Sequence, residues 1–149
     1  MGQAVNKIEG KITNYKVLTE TISDSKIEKE ETKLPDRPAC VHGATYKVKL
    51  DHLPNAFYIS INHLEYNGRL IPYELFINTL DPNYLSWAGI VSRLVSAIFR
   101  NGGDISFVSK ELKQIFEAES FFYKGKKYFS LAEIIGEIIE RHCKSIGYA

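Results

Sequence analysis

The sequence predicts an α+β fold, an antiparallel meander of three or more strands covered by about three helices. Three observations carry this. Between residues 45 and 78 three stretches alternate apolar and polar side chains with the period of a half-buried strand, joined by short links. Between 81 and 146 the apolar residues recur instead at helical spacing, in three segments with recognisable starts and stops. The alternating stretches precede the helical ones rather than interleaving with them, which favours an antiparallel sheet with helices on it over a parallel βαβ arrangement.

Residues 1–33 read as an N-terminal extension, rich in Lys, Glu, Thr and Ser, with Tyr15 the sole aromatic. KITNYKVLTETI has enough β-branched residues for one or two edge strands, whereas Ser23–Lys33 is a charged linker that cannot bury enough apolar area to order itself. Pro35 and Pro38 force an extended path, and residues 34–149 are predicted to form a single α+β domain.

Thr45–Leu50 sets Tyr46, Val48 and Leu50 against Thr45, Lys47 and Lys49. Ala56–Asn62 sets Phe57, Ile59 and Ile61 against Tyr58, Ser60 and Asn62. Asn67-Gly68 is a turn signal, and Tyr73–Asn78 opposes Tyr73, Leu75 and Ile77 to Glu74, Phe76 and Asn78. The apolar face of this meander needs a cover. Asp81–Gly103 supplies the first: Asp81 as N-cap, Pro82 in the first turn and Gly102-Gly103 as the stop bound a helix of roughly five turns. Its apolar residues lie on almost every side, which calls for a second contact surface such as another subunit in a two-fold dimer. Ala88, Ser92 and Ser96 make a smooth strip along which a sheet or helix can approach closely. Asp104 caps a second helix carrying Phe107, Val108, Leu112, Ile115 and Phe116, Phe121–Phe129 reads as a hairpin turning at Lys124-Gly125, and Ser130–Glu133 is a capping box. The third helix carries Leu131, Ile134, Ile135, Ile138, Ile139, His142 and Ile146 on one stripe.

Composition narrows the function. With 19 Lys and Arg against 18 Asp and Glu the formal charge is +1, which removes the overall electrostatic case for a nucleic-acid binder. No basic-then-apolar leader and no long apolar run occur, so neither a membrane span nor a secretory signal is expected, and the expected location is cytoplasmic. Cys40 and Cys143 are far apart and lack metal or redox spacing. Phosphate loops, nucleophile elbows and zinc-protease motifs are absent, and no metal or cofactor is expected. The spacing of His42, His63, His52 and His142 brings no two of them together, and His142 and Cys143 point about 100° apart on a helix, too far to form a dyad.

Three groups remain as candidate binding residues. Tyr58, Asn62, Glu74 and Asn78 converge on one sheet face, which is either a functional patch or a merely solvated surface. Arg93 and Arg100 are the polar exceptions on the long helix; Arg93 needs a carboxylate, for which Glu74 is one choice, or else an anion or partner. Tyr123, Lys124, Lys126 and Lys127 combine aromatic and basic character on the hairpin, as a single-strand nucleic-acid or nucleotide platform does, although half-buried rings with exposed lysines give the same pattern.

The strings RPACVHGATYKVKL, AFYISIN, NGRLIPYELFIN, SWAGIVSRLVSAIFRNGGDISFVSKELKQIF and SLAEIIGEIIERH, taken in order, resemble the C-terminal accessory region of adenosylcobalamin-dependent ribonucleotide reductases, which is related to the TSCPD domain. The resemblance covers about residues 34–146. It departs at His63, at Glu117–Phe121 and in lacking a terminal cysteine pair, so no redox role follows from it. The radical-bearing barrel and the cobalamin site are outside the resemblance, which implies a stand-alone, non-catalytic accessory protein. Its partner would be a reductase large chain, or a host protein if the domain has been redeployed, for example by a phage. On this reading Arg37, Lys47, Arg93 and Arg100 line or support the binding face.

Overall fold

The structure, a computed structural model, describes residues 34–148. The extension and linker expected at 1–33 lie outside the described residues. Element order is β1 (His42–Val48), β2 (Phe57–Tyr66), β3 (Arg69–Thr79), α1 (Leu85–Arg100), α2 (Ile105–Lys113), β4 (Phe121–Tyr123), β5 (Lys126–Tyr128) and α3 (Leu131–Ser145). The first three strands form an antiparallel sheet in the order β1-β2-β3, and β4 pairs with β5 in a separate hairpin. This is the α+β arrangement that the alternation predicted. Both tight turns place a non-glycine residue and then a glycine at positive φ, Asn67-Gly68 and Lys124-Gly125, the geometry that matches strand twist.

The inner face of the sheet carries Val48, Phe57, Ile59, Ile61, Leu75 and Ile77, all buried, and the apolar stripe of α3 closes over it. Helices α2 and α3 cross so closely that a side chain on Gly136 would meet the Ser109 carbonyl oxygen at 2.7 Å, while Ser109 Oγ donates to the Gly136 carbonyl at 2.8 Å. Asp104 caps α2 by accepting from the Ser106 and Phe107 amides. Ser130 accepts from the Glu133 amide as expected, but the Glu133 carboxylate takes the Phe129 amide and Glu117 takes that of Leu131, so the capping box is only half closed.

The small-residue strip of α1 lies along β3, at the edge of the sheet. Ser96 Oγ accepts from the Leu75 amide at 2.9 Å and donates to the Leu75 carbonyl at 3.0 Å, and Ser92 Oγ accepts from the Ile77 amide at 2.8 Å. Edge groups that would otherwise be buried without partners, at a cost of roughly 1–3 kcal/mol each, are thereby satisfied.

Two expectations for the helices need correction. Helix α1 starts at Leu85, not Asp81, and its N-cap residue Tyr84 makes no side-chain cap bond. The Asp81 carboxylate instead accepts from the Asn83 amide, closing a local turn one step before the helix. Helix α2 ends at Lys113, so Ile115 and Phe116 fall outside it, and Phe107 is exposed. On α1 itself Ile90, Leu94 and Ile98 share an exposed apolar stripe that neither the sheet nor α3 covers.

Candidate functional site

Cross-strand rows set out the outer face of the sheet. Lys47, Tyr58 and Asn78 lie side by side, then Thr45, Ser60 and Phe76, then Gly43, Asn62 and Glu74. The alternation thus brings Lys47, Tyr58, Asn62, Glu74 and Asn78 to one surface, and the chain approaches that surface again from residues 34–41. Leu34 donates its amide to the Arg100 carbonyl, and the Tyr73 hydroxyl donates to the Pro35 carbonyl. Leu34, Leu64 and Tyr73 form a second small core there, with Val41 and Ile71 against it.

Arg37 on this strap pairs with Glu74 through Nε at 2.9 Å and Nη2 at 3.0 Å. Asn62 donates to the same carboxylate at 2.9 Å. Glu74, expected on a wet face, is 1% exposed. Burial by itself would raise its carboxyl, but the bonds from Arg37 and Asn62 and the charges of Arg37 and Arg100 outweigh that and hold it below the usual carboxylate range. These three side chains satisfy one another, so they build the surface rather than offer themselves to a ligand. The expected pairing of Glu74 with Arg93 is therefore incorrect: Arg37, 37 residues distant in sequence, takes the carboxylate, and Arg93 is exposed on the flank of α1.

What remains open is the part of the face that the strap leaves uncovered. Tyr58 and Phe76 are 44% and 43% exposed, and Lys47 Nζ lies 6.0 Å from the Tyr58 ring centroid. Phe76 and Asn78 border a groove of about 530 Å³ whose other wall is α1, with Gly89, Arg93, Ala97 and Arg100. Gly89 and Ala97 keep that wall low, so Arg93 stands clear of it. Arg93 makes no hydrogen bond or ion pair among the described residues, and Arg100 is half-buried at the helix end, where a cation suits the dipole. An aromatic floor beside an exposed guanidinium on rigid elements is suited to binding.

On the hairpin, part of the aromatic and basic set is tied to the rest of the fold. Tyr123 donates its hydroxyl to the Lys47 carbonyl at 3.2 Å, and Lys126 is ion-paired with Glu137. Lys124 lies 5.3 Å from the Tyr123 ring centroid and Lys127 5.2 Å from that of Phe129. Phe122 is the most exposed ring of the hairpin, at 69%.

Against expectation, three of the histidines converge. His42 lies directly opposite His63 in the sheet, and His63 Nδ1 is 3.4 Å from His142 Nε2. The Tyr46 hydroxyl bonds His142 Nδ1 at 2.9 Å. Burial, with the charge of His63 secondary, pushes His142 down to about 4, and burial and His42 lower His63 in the same direction. Burial likewise raises the Cys143 thiol to about 11, which leaves it un-ionised and unreactive at neutral pH. Among the described residues no group of His, Cys, Asp and Glu is placed to hold a metal ion, and no helix is long and apolar enough to cross a membrane.

No curated protein and no solved structure matches the chain. The family model of the TSCPD domain matches residues 14–143, starting inside the N-terminal stretch and ending within α3. With the strap, the three-stranded sheet, α1, α2 and most of α3 inside that span, the chain belongs to the TSCPD domain family, the domain found at the C-terminus of adenosylcobalamin-dependent ribonucleotide reductases.

Proposed function

We propose that the protein is a non-catalytic accessory domain that docks on a protein partner through the open outer face of its sheet. The observation that carries this reading is an exposed ring, Phe76, facing Arg93 across one groove, with a second exposed ring, Tyr58, beside it on the same sheet face. Aromatic and arginine side chains on a rigid base are the groups that concentrate binding energy at protein interfaces. A partner suited to this face presents an apolar side chain to the rings and a carboxylate to Arg93, with Lys47, Asn78 and Arg100 on the rim. Family membership supports the catalytic chain of an adenosylcobalamin-dependent reductase as that partner, in the cytoplasm. A domain redeployed by a phage against a host protein would use the same face. The protein alone is expected to show no turnover.

The test is co-sedimentation of the full chain with a reductase catalytic chain. A complex at micromolar concentration is expected, and Arg93→Ala should weaken it at least about tenfold while leaving the circular dichroism spectrum and melting temperature unchanged. Absence of association, or an Arg93→Ala variant that binds as well as the parent, overturns the reading.

The exposed stripe of Ile90, Leu94 and Ile98 on the back of α1 supports a two-fold dimer as a separate part of this proposal. Sedimentation equilibrium should show dimer for the parent and monomer for Leu94→Glu; a parent that stays monomeric at high concentration removes the dimer.

A further inference from the structure

Between β1, the β4–β5 hairpin and α3 lies a cavity of about 340 Å³, at the lower end of the range of small-molecule sites, roughly 300–1,000 Å³. Three tyrosines line it, and all three hydroxyls are engaged elsewhere: Tyr46 bonds His142, Tyr123 the Lys47 carbonyl, and Tyr128 the Glu137 carboxylate at 2.6 Å. The rings are therefore fixed as walls. A cation accompanies each, with Arg141 5.0 Å from the Tyr46 ring centroid, Lys124 5.3 Å from that of Tyr123 and Lys126 4.8 Å from that of Tyr128.

The charge around this cavity is unbalanced. Glu137 is taken by Lys126, and Glu140 by both Lys113 and Lys144. The residues that line the cavity carry four cations, Lys47, Lys124, Arg141 and Lys144, against two carboxylates, Glu137 and Glu140, an excess of two on a chain whose formal net charge is only +1. Arg141 and Lys124 have no carboxylate partner among the described residues. At a concave aromatic site these two cations form a local focus of positive potential. A phosphate ester meets that demand, since guanidinium matches phosphate oxygens in a two-point hydrogen bond and an ammonium adds a point charge. Tyrosine walls suit a planar ring attached to the phosphate.

We propose that this cavity binds a small phosphate-bearing ligand of nucleotide size, held at its phosphates by Arg141 and Lys124 and flanked by Tyr46 and Tyr123. The site shares only Lys47 with the sheet face and no residue with the groove along α1, so either proposal can fail without the other.

Isothermal titration of the full chain at low salt with ATP, pyrophosphate and adenosine tests it. Saturable binding of ATP and pyrophosphate is expected, with none for adenosine at about 1 mM, the affinity worth roughly 4 kcal/mol below which a site of this kind has no meaning. Arg141→Ala should weaken ATP binding about tenfold or more, and Arg141→Lys, which keeps the charge and loses the fork, should weaken it less. Lys124→Ala, at the exposed hairpin tip, should also weaken it and does not depend on the packing of α3. Lys110→Ala on α2 removes one charge away from the cavity and should change ATP affinity by no more than about twofold. The proposal is overturned if ATP does not bind at about 1 mM, if Lys110→Ala costs as much as Arg141→Ala, or if a short oligonucleotide binds far more tightly than ATP with no loss on Arg141→Ala.

Discussion

Gly43→Ala is expected to destabilise the fold by about 3 kcal/mol or more, the size reserved for substitutions that force backbone apart. A methyl group at this position of β1 would sit 2.2 Å from Asn62 Oδ1, 2.3 Å from the Ile61 carbonyl oxygen and 2.8 Å from Asn62 Cα. The side-chain oxygen could rotate away, but only by disturbing the amide that donates to Glu74. The Ile61 carbonyl has no such freedom, because it belongs to the central strand β2. Strand β1 would have to lift from β2 at its first residues, loosening Asn62, Glu74 and the Arg37 strap together. Urea denaturation followed by circular dichroism measures this. With a slope of roughly 1–3 kcal/mol per molar urea, the midpoint should fall by about 1 M or more, or the variant should accumulate unfolded. A soluble Gly43→Ala protein with the parent midpoint would refute the account of this contact.

This glycine sits in the string GATYKV that carried part of the family resemblance, yet the reason for it is not local. Strand phases were legible because a half-buried strand repeats every two residues, and Phe57, Ile59, Ile61, Leu75 and Ile77 all face the core as the alternation predicted. The small strip on α1 was legible for the same kind of reason, though the hydrogen bonds of Ser92 and Ser96 to the sheet edge were not. Glu74 was misplaced because alternation says which face a residue takes, and says nothing of a strap from residues 34–41 crossing that face. One signal could have shown that the sheet is irregular there. A two-residue turn at Asn67-Gly68 pairs Tyr66 with Arg69, and counting back from it sets Ile61 opposite Glu74, whereas the apolar phases require Ile61 opposite Leu75. The conflict demands one extra residue, and the structure places that shift at Asn62/His63, where Tyr73 on β3 is skipped in the pairing. The convergence of His42 and His63 follows from the β1–β2 register, which no short turn specifies. Contact with His142, 79 residues later, needs the tertiary packing of α3 and leaves no trace in spacing.

That histidine contact predicts the second large effect, an acid-sensitive fold. His142 is 1% exposed on the core stripe of α3, with the Tyr46 hydroxyl from β1 on Nδ1 and His63 from β2 near Nε2. Arg141, its neighbour in the helix, lies over the Tyr46 ring, and after burial the charge of His63 is what opposes a positive imidazole. The folded chain holds His142 neutral down to about 4, while the unfolded chain protonates it near 6.5. The unfolded state therefore binds the proton first as pH falls. The stability that comes from keeping His142 neutral is complete above about 6.5 and drains away between there and about 4, by about 3 kcal/mol in all. Carboxylates do not account for this window, because Lys113 and Lys144 hold Glu140 down to about 2, and Glu74 and Glu137 are lowered as well. Urea midpoints measured at intervals from pH 7 to pH 4.5 should fall steadily for the parent. For His142→Gln, whose amide can still meet Tyr46 and His63 but carries no titrating proton, the midpoint should vary much less with pH, whatever its value at pH 7. His63→Gln removes the nearby charge that helps lower His142, so the lower end of the window should rise toward 6.5 and the total loss should shrink. Parallel pH profiles for the parent and His142→Gln would show that the buried imidazole is not what makes the fold sensitive to acid.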